Sequence, residues 1–335
     1  MQEALVSILT PFKNTSEFLP ECIISILNQT YTNWELLIIN DHSTDNSYEI
    51  VNAFAKQDPR IRLFNSDGIG LIAALLYAFP KCNGEFITRM DSDDIMPNHR
   101  LQDMVSDLRL HGKQHVALGL IDYFSANGVG DGFTRYERWL NGLISTGKNY
   151  TEIYKECVIP SPCWMVYHSD LVACNAFNPN RYPEDYDLAF RFYKHGYKCI
   201  ASTKLGLHWR DYGERASRTD PNYAENHFID LKLDYFLELD YNSSRPLTVW
   251  GAGKKGKTIA KLLQEKQIPF IWLCDNPKKI GHNIYDITLF HYKTLSKLNA
   301  PQCIVSVANT EAQQEIKSYF KAQKMINMHD YFFFC

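Results

Sequence analysis

The chain has no excess of positive charge, no long apolar run and no signal-like start, and each absence removes a class of protein. Its 35 Lys and Arg face 38 Asp and Glu, and the formal net charge is -3. This balance argues against binding to a nucleic-acid backbone. No stretch approaches the ~18 apolar residues of a membrane-spanning helix, and residues 1–4 lack signal-peptide character. A cytoplasmic protein is expected, with peripheral attachment to the inner face of a membrane as a further option.

Paired cysteines are also absent, because none of the nine cysteines lies in a Cys-x-x-Cys pair. Their odd number and apolar surroundings predict reduced thiols in the protein core. Aromatic residues are plentiful, and four of them close the chain at residues 331–334. We interpret this segment, in order of preference, as a final strand, a homo-oligomer contact or a membrane contact.

Short apolar runs alternate with helical patterns over the first ninety residues. This alternation predicts parallel βαβ units and an α/β fold with a mostly parallel open sheet. The first run is expected to end at Thr10-Pro11, and Ser16 to cap the helix that follows. Residues 120–180 contain scattered glycines and are expected to form loops and short helices. The predicted strands are 4–9, 35–39, 61–64 and 85–90.

A polar stretch at residues 241–246 predicts a linker between a domain at 1–240 and a smaller one at 247–335. The second domain begins with a strand, a glycine-rich turn at Gly251, Gly253 and Gly256, and a helix. Asp275 follows at the end of the next strand. This order is that of a Rossmann-like unit, in which such a turn can bind a pyrophosphate and the acidic residue a ribose. The alternative is a βαβ module for packing or assembly.

Three acidic clusters follow apolar runs in the first domain, at residues 40–45, 91–94 and 184–187. In an open α/β sheet, the carboxyl ends of the strands form the rim where ligands bind. Asp91 and Asp93 are spaced to face one cation, and carboxylate oxygens suit Mg²⁺ or Mn²⁺. The alternative for residues 91–94 is an acidic cap on the helix that begins near Pro97.

Together these segments resemble a family-2 glycosyltransferase of the GT-A fold. The resemblance rests on Val6-Ser7-Ile8-Leu9-Thr10-Pro11-Phe12, on residues 25–31 and 37–47, and on Arg89-Met90-Asp91-Ser92-Asp93-Asp94. It continues through Glu184-Asp185-Tyr186-Asp187 and His208-Trp209-Arg210, about two thirds of the chain. It implies a nucleotide-diphospho-sugar transferase fold with a UDP-linked donor, a glycan or lipid-linked acceptor, and a role in surface polysaccharide biosynthesis.

The resemblance also implies roles for individual residues. Asp185 would be the general base that takes the proton of the acceptor hydroxyl. A metal ion, Mn²⁺ or Mg²⁺, would be held by Asp91 and Asp93, with His208 either a third ligand or structural. The remaining residues expected to bind the nucleotide sugar are Thr10, Pro11, Phe12, Asp41, Arg89, Ser92 and Arg210. Arg215 could hold diphosphate oxygens or form a surface salt bridge.

One base and one metal ion predict direct displacement with inversion, since no second carboxylate is placed as a nucleophile. The chain departs from the family at His42, where relatives commonly have glycine, and at Leu76, where they often have Asn or Arg. Both departures concern recognition of the base. Two other functions remain open: a sugar nucleotidyltransferase, and a non-catalytic protein that senses a nucleotide such as NAD.

Overall fold

The computed structural model describes residues 3–178, 181–215, 218 and 228–335. The chain forms two compact units, and each is made of two segments. The first unit comprises Met1–Asn149 and Val158–Thr219, and the second comprises Tyr150–Cys157 and Asp220–Cys335.

The first unit is built on a seven-stranded sheet with the order β3-β2-β1-β4-β7-β5-β8. Strands β6 and β9 form a separate parallel pair. The nine strands are β1 (Val6–Phe12), β2 (Trp34–Asn40), β3 (Ile61–Asn65), β4 (Phe86–Arg89), β5 (His115–Leu118), β6 (Leu120–Phe124), β7 (Trp164–Tyr167), β8 (Lys198–Cys199) and β9 (Leu205–Arg210). The four strands β3, β2, β1 and β4 run parallel, and β7 pairs antiparallel to β4. This sheet confirms the predicted α/β class.

Helices connect the strands of the first unit. They are α1 (Leu19–Leu27), α2 (Ser47–Ala55), α3 (Leu71–Ala78), α4 (Arg100–His111), α5 (Asp131–Ile144), α6 (His168–Ala173) and α7 (Glu184–Lys194). The expectation of loops and short helices at 120–180 was wrong for α5, which has 14 residues. Its apolar side chains Leu140 and Ile144 are buried, so tertiary packing stabilises a helix although it contains Gly132 and Gly142.

Strand β1 runs past the predicted stop at Thr10-Pro11. Its pairing with β4 ends where Leu9 faces Arg89, but its pairing with β2 continues to Phe12. Proline has no N–H to donate. Because β1 is paired on one side only beyond Leu9, Pro11 can remain in the strand. The predicted cap at Ser16 was also wrong, since α1 begins at Leu19 and the Ser16 N–H bonds to Asp45 Oδ2 at 3.1 Å.

The second unit contains a six-stranded sheet with the order β12-β13-β11-β10-β14-β15. Its strands are β10 (Leu247–Trp250), β11 (Ile271–Cys274), β12 (Asn283–Ile284), β13 (Ile287–His291), β14 (Gln302–Val305) and β15 (Tyr331–Phe333). Its helices are α8 (Phe228–Leu239), α9 (Lys254–Glu265) and α10 (Thr310–Ala322). Strand β15 confirms the first interpretation of the closing aromatic segment.

The division differs from the predicted domain boundary at residues 241–246. Helix α8 belongs to the second unit because Phe236 packs on Phe332 at 4.9 Å between ring centroids. The segment 150–157 joins the same core through Tyr154, whose ring stacks on Phe334 at 5.3 Å. Arg245, expected in a linker, bonds to Asp330 at 2.6 Å. The polar composition of the linker therefore reflects hydrogen bonds within the second unit.

All nine cysteines are buried with free thiols, as predicted. In the part of the chain that the structure describes, no helix combines the length and apolar character of a membrane span.

Candidate functional site

The carboxyl ends of β1 and β2 form the first part of the rim. Thr10, Pro11 and Phe12 are all buried within β1. Phe12 is only 2% exposed, so its side chain packs in the interior of the first unit. Nucleotide binding by these three residues stays a prediction.

Asp41 follows β2 directly and is buried at the rim. Its Oδ1 accepts a hydrogen bond from the Gly70 N–H at 2.8 Å, and its Oδ2 lies 3.7 Å from Lys13 Nζ. The next residue, His42, has a φ of 55°, a left-handed conformation that glycine adopts at lower cost. Its Nε2 lies 3.2 Å from the Gly68 carbonyl oxygen. The departure from glycine thus puts an exposed imidazole in the turn directly after Asp41.

The turn after β4 concentrates carboxylates in a poorly solvated place. Asp93 Oδ2 accepts from the Tyr212 hydroxyl at 2.8 Å, and Asp94 Oδ1 accepts from the Arg210 backbone N–H at 2.8 Å. Asp94 Oδ2 is buried without a hydrogen-bond partner. Burial raises the pKa of Asp93, and the charge of Asp91 raises it further. Burial and then Asp93 also raise the pKa of Asp94. A cation here would relieve this repulsion, so the donor set fits a divalent metal.

Two arginines close around this turn. Arg210 donates from Nε to the Asp93 carbonyl oxygen at 2.7 Å, and its guanidinium lies 4.5 Å from the centre of the Phe124 ring. Arg215 is buried, so the surface salt-bridge alternative was wrong. Burial is the largest influence and opposes its charge, but Asp94, Tyr123, Asp93 and Asp91 together outweigh burial and raise the pKa of Arg215. The chain therefore supplies internal positive charge at the acidic turn.

His208 lies on β9, where its Nδ1 is 3.0 Å from Asp122 Oδ2. Among the described residues, no three His, Cys, Asp or Glu side chains converge closely enough to hold a metal ion. The structure therefore does not join His208 to Asp91 and Asp93 as a third ligand. A metal on the two aspartates would complete its shell with water and diphosphate oxygens, as Mg²⁺ usually does.

Asp185 lies in the first turn of α7. One oxygen accepts from the Tyr186 N–H at 2.7 Å. Burial raises the pKa of Asp185 to about 7, and the neighbouring Glu184 carboxylate contributes to the rise while Arg89 opposes it. A carboxylate with a pKa near neutrality is suited to accept a proton at physiological pH.

Arg89 links the acidic turn to α7. Its Nε donates to Asp91 Oδ1 at 2.9 Å, and its Nη1 donates to Glu184 Oε1 at 2.8 Å. Ser92, also expected to bind the donor, is buried with its Oγ 3.1 Å from Thr15 Oγ1. The structure thus gives Arg89 two protein carboxylates as partners, where the resemblance implied diphosphate oxygens.

The glycine-rich turn of the second unit lies between β10 and α9, at the switch point of the sheet order β11-β10-β14. Gly251 has a φ of 124°, and a Cβ on Gly256 would lie 2.1 Å from the Gly251 carbonyl oxygen. Lys279 Nζ donates to the Ala252 carbonyl oxygen at 2.8 Å. Asp275 is exposed after β11. Nucleotide binding at Gly251, Gly253, Gly256 and Asp275 stays a prediction.

Sequence reasoning assigned no individual role to three residues of the site. Tyr212 and Glu184 contact the predicted residues Asp93 and Arg89, and Asp94 holds the unpartnered oxygen. Glu184 directly precedes the predicted base Asp185, and this position in the sequence was the one indication that it belongs to the site. Tyr212 gave none, since 119 positions separate it from its partner.

Comparison with known proteins identifies the fold and the family. The family model for glycosyl transferase family 2 matches residues 7–174. The chain is 39% identical over 106 residues to glycosyltransferase GlyG of Streptococcus pneumoniae serotype 4, covering 31% of this chain and 35% of that protein. It is 26% identical over 282 residues to an uncharacterized glycosyltransferase of Haemophilus influenzae. That alignment covers 78% of this chain and 85% of the other protein.

The structure is similar to that of S. aureus TarS 1-349 in complex with UDP. The TM-score is 0.52 at 18% identity, with 77% of this chain and 70% of that one covered. This likeness supports the predicted GT-A fold, and the family match confirms the resemblance seen in the sequence. The chain belongs to glycosyl transferase family 2.

Proposed function

We propose that the first unit transfers a sugar from a nucleotide-sugar donor, with UDP as the nucleotide, to a hydroxyl group of a glycan or lipid-linked acceptor. The observation that carries this proposal is the Asp185 carboxylate, whose pKa of about 7 suits a general base. Its neighbour Glu184 is joined through Arg89 to the acidic turn. We further propose that the enzyme acts in surface polysaccharide biosynthesis, in the cytoplasm or at the inner face of a membrane.

The proposed reaction is a direct displacement. Asp185 takes the proton of the acceptor hydroxyl while its oxygen attacks the anomeric carbon. The bond from that carbon to the diphosphate oxygen breaks, and its electron pair leaves with the nucleoside diphosphate. One displacement inverts the anomeric configuration.

Asp91 and Asp93 would hold a divalent metal ion on the diphosphate side. When bound, Mn²⁺ or Mg²⁺ would offset the charge that develops on the leaving group. Asp41 would accept a hydrogen bond from the uracil or ribose, because its carboxylate lies buried at the end of β2. Arg215 adds positive charge beside the acidic turn.

Donor turnover tests the proposal. The full chain is incubated with UDP-glucose, UDP-N-acetylglucosamine, UDP-galactose or GDP-mannose, with Mn²⁺ or EDTA, and nucleoside diphosphate release is followed. We expect release from a UDP-sugar with Mn²⁺, and thermal stabilisation by UDP plus Mn²⁺. Stabilisation by NAD alone, or pyrophosphate release from UTP and a sugar phosphate, would contradict the proposal and favour one of the two alternatives.

A further inference from the structure

Arg89 is the last residue of β4, and its guanidinium lies between carboxylates from two distant parts of the chain. Its Nε and Nη2 lie 2.9 and 2.8 Å from Asp91 Oδ1, and its Nη1 lies 2.8 Å from Glu184 Oε1. The side chains of Arg89 and Glu184 are 6% and 5% exposed. The pair is therefore a buried contact between the acidic turn and the first residue of α7.

A buried guanidinium has a planar fork of donors that fixes the direction of each partner. One side of the Arg89 fork faces the carboxylate after β4, and another faces α7. Asp185 is the residue after Glu184, and its backbone belongs to the same helical turn. Whatever fixes Glu184 therefore also fixes the start of the Asp185 side chain.

We propose that Arg89 is a positioning residue, which through Glu184 holds the Asp185 carboxylate at a set place relative to the donor-binding turn. This inference rests on the proposed function, because it assigns Asp185 the role of base. It gives Arg89 a part in aligning the two halves of the site, the leaving group at Asp91 and the acceptor at Asp185.

The charges around Asp185 provide a readout that a purely structural contact lacks. Glu184 and Asp91 raise the pKa of Asp185, and Arg89 lowers it. Removing the Glu184 charge should thus move the acid limb of the pH–rate profile to lower pH. Arg89→Lys keeps the positive charge but loses the planar guanidinium donors. The acid limb of its pH–rate profile should therefore stay in place, while kcat falls.

The test compares Glu184→Gln and Arg89→Lys with wild type in hydrolysis of UDP-glucose and UDP-N-acetylglucosamine with Mn²⁺. We expect kcat to fall about tenfold in Glu184→Gln, because a small misplacement of a reacting group is costly. The donor KM should be unchanged in this variant, and its acid limb should shift to lower pH. If Glu184→Gln does not fold, Arg89→Lys is the deciding variant. A lower kcat with an unchanged acid limb would support the inference, and a wild-type kcat would overturn it.

Asp187→Asn is the matched control on the same helix. Asp187 Oδ2 is 2.7 Å from Arg191 Nε in another buried ion pair, and Arg191 also donates to the carbonyl oxygen of Cys174. This control should lower the melting temperature and keep wild-type kcat and pH profile. Wild-type kinetics in Glu184→Gln, or an equal fall in kcat in Asp187→Asn, would overturn the inference. A wild-type protein that turns over no nucleotide sugar and is not stabilised by UDP would instead overturn the proposed function.

Discussion

Replacing Asp185 by asparagine is expected to lower activity and raise stability at alkaline pH. Burial, with Glu184, raises the pKa of this carboxyl from 3.8 to about 7. Between these values the folded protein binds the proton more tightly than the unfolded chain does. The free energy of unfolding therefore falls as pH rises from about 4 to about 7, and the loss is complete above that range. Asparagine does not ionise and avoids this loss.

The size of the effect follows from the same two values. The interval from 3.8 to about 7 corresponds to about 4 kcal/mol. Asp185 is partly exposed, and solvent screening reduces the expected gain at pH 8 to about 2 kcal/mol. Turnover should fall by about 10²–10⁴, the usual contribution of a general base.

Urea unfolding at pH 5 and pH 8, together with UDP release from the donor, measures both effects. Asp187→Asn is again the comparison, because it breaks the buried pair with Arg191. It should cost about 3 kcal/mol at both pH values and leave turnover intact. Wild-type turnover in Asp185→Asn, or a loss of stability at pH 8, would refute the reasoning.

Two further predictions concern the metal and the second unit. Asp93→Ala should abolish the thermal stabilisation by UDP that depends on Mn²⁺, and unchanged stabilisation would count against the metal assignment. Gly256→Ala should destabilise the second unit by about 2 kcal/mol, since the new Cβ would lie 2.1 Å from the Gly251 carbonyl oxygen. Gly253→Ala meets nothing within 4 Å and should unfold like wild type in urea; equal losses in the two variants would contradict the packing argument.

The strands and the acidic turns could be predicted because their signals are local. Buried parallel strands appear as continuous apolar runs, and Asp41 and Asp91 each follow such a run. The residues at which these strands end depend on which neighbouring strands they pair with, and the sequence does not show that pairing. Pro11 stays in β1 because its partner is β2 alone.

Long-range pairs explain most of what sequence reasoning missed in the site. Ninety-five positions separate Arg89 from Glu184, so Arg89 looked like a free cation for diphosphate. For His208 the sequence left both a ligand role and a structural role open, and its contact with Asp122 depends on the pairing of two strands. The burial of Arg215 has no local signal in the sequence, so a surface salt bridge stayed open for it. Such contacts depend on the folded topology, which residue types alone leave open.

The segment 150–157 has a consequence for how the chain folds and can be divided. It is synthesised long before residues 332–334, yet Tyr154 packs on Phe332 and Phe334 and bonds to Asp240. During translation this segment therefore lacks its packing partners until the C-terminal residues have been synthesised. A fragment that starts at residue 228 would lack Tyr154 and expose the aromatic rings that it covers. The second unit is therefore not a transferable module, and cutting the chain before α8 should yield a fragment that aggregates.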